Sequence, residues 1–146
     1  MECIRHGIQY VKDIGGKKMR EYIDFTSEIP FDKMEMLLKL GNEFSFDPSS
    51  SVESEEYFLN LLSKYQNEGS DLETLIRKQI KKDFRVLDKK PIWIQDPEWQ
   101  FNNGRPMEFV GQIEIKKEKI RLHDDAIFYI FWDREIGITK TIIQIA

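Results

Sequence analysis

The stretch Ala126-Ile127-Phe128-Tyr129-Ile130-Phe131-Trp132 carries no charge, glycine or proline. A short apolar run rich in β-branched and aromatic residues reads as a central β-strand covered on both sides. Downstream, Asp133-Arg134-Glu135-Ile136-Gly137 forms a connection into a last strand, Thr139 to Ile145. Upstream, Lys119-Ile120-Arg121-Leu122 alternates polar and apolar, Phe109 to Ile115 alternates toward its end, and Ile92-Trp93-Ile94 is short and apolar. All three read as strands. Parallel neighbours need long crossovers, so the short connections imply an antiparallel, meander-like sheet.

The first half has a different period. Phe31, Met34, Leu37, Leu38 and Leu40 recur at helical intervals and stop at Gly41-Asn42, as a helix with a C-terminal glycine would. Tyr57, Phe58, Leu61, Leu62 and Tyr65 form one stripe on a second helix, Glu53 to Gln66, with serines upstream to cap it. Ser70 and Glu73 have capping-box spacing ahead of a third helix that runs to about Phe84, with Leu72, Leu75, Ile76 and Ile80 inward. The first 30 residues are ambiguous: Ile4, Ile8 and Val11 fit helical spacing, Met19 to Phe25 alternates loosely, and Gly15-Gly16 reads as a turn. The expected architecture is a single α+β domain over residues 1–146. Helices concentrated in residues 1–88 pack on a mainly antiparallel sheet from residues 89–146.

At 146 residues, 40% of them apolar and 33% charged, the chain suits one soluble domain with an aromatic-rich core. No apolar stretch approaches a membrane span, and the N-terminus lacks the long apolar region of a secretory signal. Cys3 is the lone cysteine, which excludes an internal disulfide and fits a reducing, cytoplasmic setting. The net charge of −4 is segregated. From Glu21 to Glu73 there are 13 acidic residues against three basic, and from Thr74 to Lys90 seven basic against two acidic. The acidic balance argues against nucleic acid, whose phosphates dominate affinity, and suits a basic protein partner. Simple solvation of helix faces explains the same pattern.

Pro91-Ile92-Trp93-Ile94-Gln95, Pro97, Trp99 and Gly104-Arg105-Pro106-Met107-Glu108-Phe109-Val110-Gly111-Gln112-Ile113 form an unusual run. With Tyr129-Ile130-Phe131 and Ile142-Ile143-Gln144, it resembles the YwqG-like family of bacterial proteins. Members show a Gly-Gly-x-Pro-x-Trp-x-Gln start, a Pro-bearing loop, a Gly-x-Pro-Met/Leu-x-Phe-x-x-Gln-Ile strand, a Tyr-x-Phe strand and a final Gln-bearing strand. The resemblance covers Pro91 to Gln144, about a third of the chain. Lys89-Lys90 stand where the family has Gly-Gly. Gln100-Phe101-Asn102-Asn103 lacks the Cys-x-x-Cys many members carry in that loop, so no structural zinc is expected. The resemblance implies an α+β fold without an established activity. Through similar small proteins of toxin–immunity loci, it also implies binding of an antitoxin type.

Catalytic groups are sparse. His6 and His123 are the only histidines, which nearly excludes a three-His metal site, and Cys3 lacks an activating partner. Asp96 with Glu98, and Asp124 with Asp125, are acid pairs that could serve a hydrolase. His123-Asp124-Asp125 reads better as a turn between strands. Gln95, Gln112 and Gln144 suit either a ligand groove beside Trp93 and Trp99 or, as favoured here, the satisfaction of loop backbone. Trp93 and Trp132 are expected inside, while Trp99, flanked by Pro97, Glu98 and Gln100, is the one open to partial exposure.

The expected function is a non-catalytic protein-binding module, in the immunity reading one that masks a basic toxin domain. A small carboxylate-based hydrolase or small-ligand binder is the alternative, and self-association through an aromatic sheet face a third. Candidate binding residues are Trp99, Gln95, Gln112, Glu53, Glu55 and Glu56. No catalytic residue, cofactor or metal is assigned, and the oligomeric state is open.

Overall fold

In a computed structural model the backbone is described for residues 2–5, 9–14, 17–22, 25–120 and 123–146, and the side chains for 27–119 and 123–146. Four strands open the chain. β1 (Glu2–Arg5) pairs antiparallel with β4 (Phe25–Pro30), and β2 (Gln9–Ile14) with β3 (Lys17–Tyr22). Strands therefore replace the helix suggested by Ile4, Ile8 and Val11. Three apolar positions are too few to fix a period, and a complementary segment satisfies backbone groups of both strands. The expected Gly15-Gly16 turn and the side chains of Cys3 and His6 lie outside the described residues.

Three helices follow: α1 (Phe31–Phe44), α2 (Val52–Lys64) and α3 (Leu72–Asp83). Helix α1 runs past Gly41. It ends at Ser45 in the left-handed region, φ 65°, with Phe46 N–H donating to Gly41 O at 3.0 Å. That six-residue closure is a Schellman arrangement with serine where glycine is usual. Ser51 caps α2 by accepting from Ser54 N–H at 3.1 Å, as expected of the upstream serines. The capping box of α3 does not form. Its N-cap is Asp71 without a side-chain bond, and Glu73 Oε1 instead accepts from Lys39 Nζ at 2.8 Å and Arg77 Nη2 at 3.1 Å. Two charge-assisted bonds outweigh one neutral cap.

The second half holds a two-residue ribbon, β5 (Phe101–Asn102) with β6 (Arg105–Pro106), and an antiparallel meander. The ribbon turns through Asn103 and Gly104, both at positive φ, the requirement of a tight hairpin. In the meander β8 (Ala126–Asp133) lies between β7 (Glu108–Ile115) and β9 (Ile138–Ile145). Two expected strands do not appear among the described residues. Residues 92–94 have no strand, and Lys117–Ile120 form a single helical turn, α4, whose first amide donates to Asp125 Oδ1 at 3.0 Å. Arg121 and Leu122 lie outside the described residues. The expected α+β architecture, with helices ahead of a mainly antiparallel sheet, is the observed one.

One core joins the halves. Rings pass contact from Phe58 to Phe46, Phe84, Trp99 and Phe131 at successive centroid distances of 4.9, 4.7, 5.1 and 5.6 Å. Only one face of the sheet meets this core. Ile127, Tyr129, Phe131 and Asp133 are buried and alternate with half-buried Phe128, Ile130 and Trp132. On that outer face Ile113 and Ile143 flank Phe128 and are 54% and 53% exposed. So β8 is central but covered on one side, correcting the expectation of two. The cause is topological: all three long helices precede the sheet and pack on the same side of it.

Candidate functional site

The sequence candidates separate into three places. Trp99 is in the core, 2% exposed, with its indole N–H donating to Met107 O at 2.9 Å. Its rings rest against Phe84, Phe109 and Phe131, so it presents no platform to a partner. Trp93 and Trp132, expected inside, are only half-buried. Trp93 stacks on Tyr129 at 4.5 Å and donates to Ser45 O at 2.9 Å.

The glutamines hold the 92–98 loop against the sheet. Gln112 Oε1 accepts from Ile92 N–H at 2.8 Å. Gln144 Oε1 accepts from Ile94 and Gln95 N–H at 3.2 and 3.1 Å, while its Nε2 donates to Asp96 O at 2.9 Å. Gln95 Nε2 donates to Ile145 O at 2.9 Å, and the Tyr129 hydroxyl donates to Ile92 O at 2.8 Å. Side-chain amides thus replace the ladder partners that a strand at 92–94 would have had. This is backbone satisfaction, the alternative favoured above, and it leaves Gln95 and Gln112 little to offer a ligand.

Glu53, Glu55 and Glu56 occupy the first turns of α2, with Glu53 and Glu56 exposed and Glu55 half-buried. None of the three forms an ion pair among the described residues. Other carboxylates are engaged: Glu43 with Arg77, Glu73 with Lys39 and Arg77, Glu108 with Arg134, and Glu114 and Asp125 with Lys116. Val52, 70% exposed, stands beside the acidic trio.

A charged cleft of about 300 Å³ was not foreseen. Asp83, Arg85, Arg105, Glu108, Trp132, Asp133, Arg134 and Glu135 line it together with Pro106. The exit of α3 creates it. Arg85 O accepts from Phe109 N–H and Leu87 N–H donates to Phe109 O, both at 2.9 Å, which stitches residues 85–87 to the edge of β7. Arg134 Nη2 faces both oxygens of the buried Glu108, at 2.9 and 2.7 Å, and its guanidinium lies 5.7 Å from the Trp132 ring centroid. Asp133 accepts from Asn102 Nδ2 at 2.8 Å and from Glu135 N–H at 3.0 Å, with Arg105 3.7 Å away. The Asn102 bond foremost, then the backbone amides and Arg105, holds its carboxyl below the usual range. Tyr57 donates to Asp83 Oδ2 at 2.6 Å, and burial, reinforced by that bond, raises its phenol far above the ordinary value. The sequence signal was the basic run before Lys90 and the Asp133-Arg134-Glu135 connection, but nothing local said that they meet.

The acid pairs considered for hydrolysis lie elsewhere. Asp125 is tied to Lys116 and the Lys117 amide, Glu98 approaches Gln144 Nε2 at 3.4 Å, and Asp124 is exposed. None of Asp96, Glu98, Asp124 and Asp125 lines the charged cleft. Among the described residues no group of three or more His, Cys, Asp or Glu side chains could hold a metal ion, and no helix is long and apolar enough to cross a membrane. No family model, curated protein or solved structure matches the chain.

Proposed function

We propose that the chain is a non-catalytic protein-binding module of the YwqG-like type, an immunity protein that masks a basic toxin domain. The observation that carries this reading is the acidic start of α2. Among the described residues Glu53, Glu55 and Glu56 have no cationic partner, although the fold pairs many other carboxylates with Lys or Arg. Unpaired surface carboxylates beside an exposed apolar residue suit a basic partner, steering its approach and adding apolar burial on contact. The trio also complements the positive end of the α2 dipole, which is worth about 0.3–1 kcal/mol per charge. A stability control is therefore part of the test.

The test is capture from the protein's own cell lysate, using the parent chain and the Glu53→Lys, Glu55→Lys, Glu56→Lys triple variant, each verified as folded. The expected result is one stoichiometric basic protein retained at low salt, released at high salt and lost from the triple variant. A clean column, or a partner indifferent to the reversal, overturns the proposal.

A further inference from the structure

The acidic face leaves the basic stretch Thr74 to Lys90 without a role. Three of its cations, Lys81, Arg85 and Lys90, meet Arg134 around a second cleft of about 560 Å³. Its remaining lining is Phe44, Phe84, Val86, Leu87 and a single carboxylate, Glu108. Four cations thus face one acid over an apolar floor. The walls come from the end of α1, the end of α3, residues 85–90 and the sheet edge at Glu108. Lys90 closes one side by donating to Glu43 O at 2.6 Å.

The cations are not equally committed. Arg134 is matched by Glu108, and the acidic partner of each other cation decides what remains available. Among the described residues Arg85 makes one side-chain bond, from Nε to Lys82 O at 3.2 Å, and has no carboxylate partner. Lys81 likewise forms no ion pair among them. A guanidinium and an ammonium with no counter-ion among the described residues, beside aromatic and aliphatic side chains in the same lining, complement a ligand with an anionic head and an apolar body. The volume lies within the usual range for small-molecule sites.

We infer that this cleft binds a small amphiphilic organic anion, with its carboxylate or phosphate head on Arg85 and Lys81 and its apolar body on Phe44, Phe84, Val86 and Leu87. The first cleft, which shares Arg85, Glu108 and Arg134 with this one, carries the mixed-charge Arg105–Asp133–Glu135 cluster, and its two carboxylates disfavour a second anion there. The site is independent of the acidic start of α2, so either proposal stands without the other.

Calorimetric titration of the full chain with decanoate, decyl phosphate, decan-1-ol and inorganic phosphate tests it. Saturable one-to-one binding of at least one amphiphilic anion is expected, about tenfold tighter than decan-1-ol or inorganic phosphate. The Arg85→Gln, Lys81→Gln double variant should bind that anion about tenfold more weakly. Its far-UV circular dichroism should match the parent, because both residues are exposed and outside the core. Ile143→Ser, on the outer face of the sheet, should bind as the parent does. Absence of saturable binding, equal binding of decan-1-ol, an unchanged double variant, or loss of binding in Ile143→Ser would each overturn the inference.

Discussion

A methyl group at position 41 would press against the carbonyl oxygen of Phe46. Gly41 sits inside α1, where helix propensity alone favours alanine by about 1 kcal/mol. Yet the Schellman closure brings the Phe46 backbone directly over it, and a backbone carbonyl cannot rotate aside as a side-chain tip can. Gly41→Ala is therefore expected to lower the thermal midpoint, and a midpoint equal to or above the parent's would refute the close-approach argument. Asp133 carries a pH dependence of known sign. Its carboxyl is held below its ordinary value of 3.8, chiefly by the Asn102 bond. Its stabilisation is present above that ordinary value and disappears as pH falls through the folded one. Asp133→Asn keeps the shape and removes the titration. Between about pH 5 and pH 2 its thermal midpoint should fall less steeply than the parent's, and parallel curves would reject the assignment.

Among the elements, those with an internal period were legible and those made by distant partners were not. The stripe of Phe58 and Leu61 on α2, and of Leu72, Ile76 and Ile80 on α3, is written at helical spacing and is buried as read. The uncharged run Ala126 to Trp132 and the segment Thr139 to Ile145 likewise match the extents of β8 and β9 to within a residue. By contrast, residues 92–94 look like a strand because they are apolar, but their hydrogen-bond partners are side chains of Gln112, Gln144 and Tyr129, up to 50 residues away. The charged cleft was hidden for the same reason, since Arg85, Glu108 and Arg134 meet only after α3 is stitched to β7. The loop depends heavily on Gln144, which is 1% exposed and bonds three backbone groups. Gln144→Leu should cost about 2–4 kcal/mol, because each orphaned buried group costs about 1–3 kcal/mol and solvent reaches some of them. Amide exchange at Ile94 and Gln95 should accelerate more than exchange in α3. Uniform acceleration would mean that Gln144 supports the whole core and not the loop in particular.

For the whole molecule, the decisive asymmetry is between the two faces of the meander. The inner face continues the ring chain from Phe58 to Phe131, so helices and sheet share one core and should unfold together. The outer face, with Ile113, Phe128 and Ile143 in cross-strand register, is covered by no described element. Equal chemistry should therefore have unequal consequences. Ile80→Ala removes a side chain that is 0% exposed between α3 and the core, and should cost about 2–5 kcal/mol through lost transfer energy and a residual cavity. Ile143→Ala removes one that is half in water and leaves no cavity, and should cost less than about 1 kcal/mol. Urea unfolding followed by tryptophan fluorescence and by far-UV circular dichroism measures both costs and the cooperativity. Coincident curves with a large shift only for Ile80→Ala are expected. Comparable shifts for the two variants would mean that the outer face is buried in solution against something beyond this chain's described core, and separated curves would mean that the halves do not share one core.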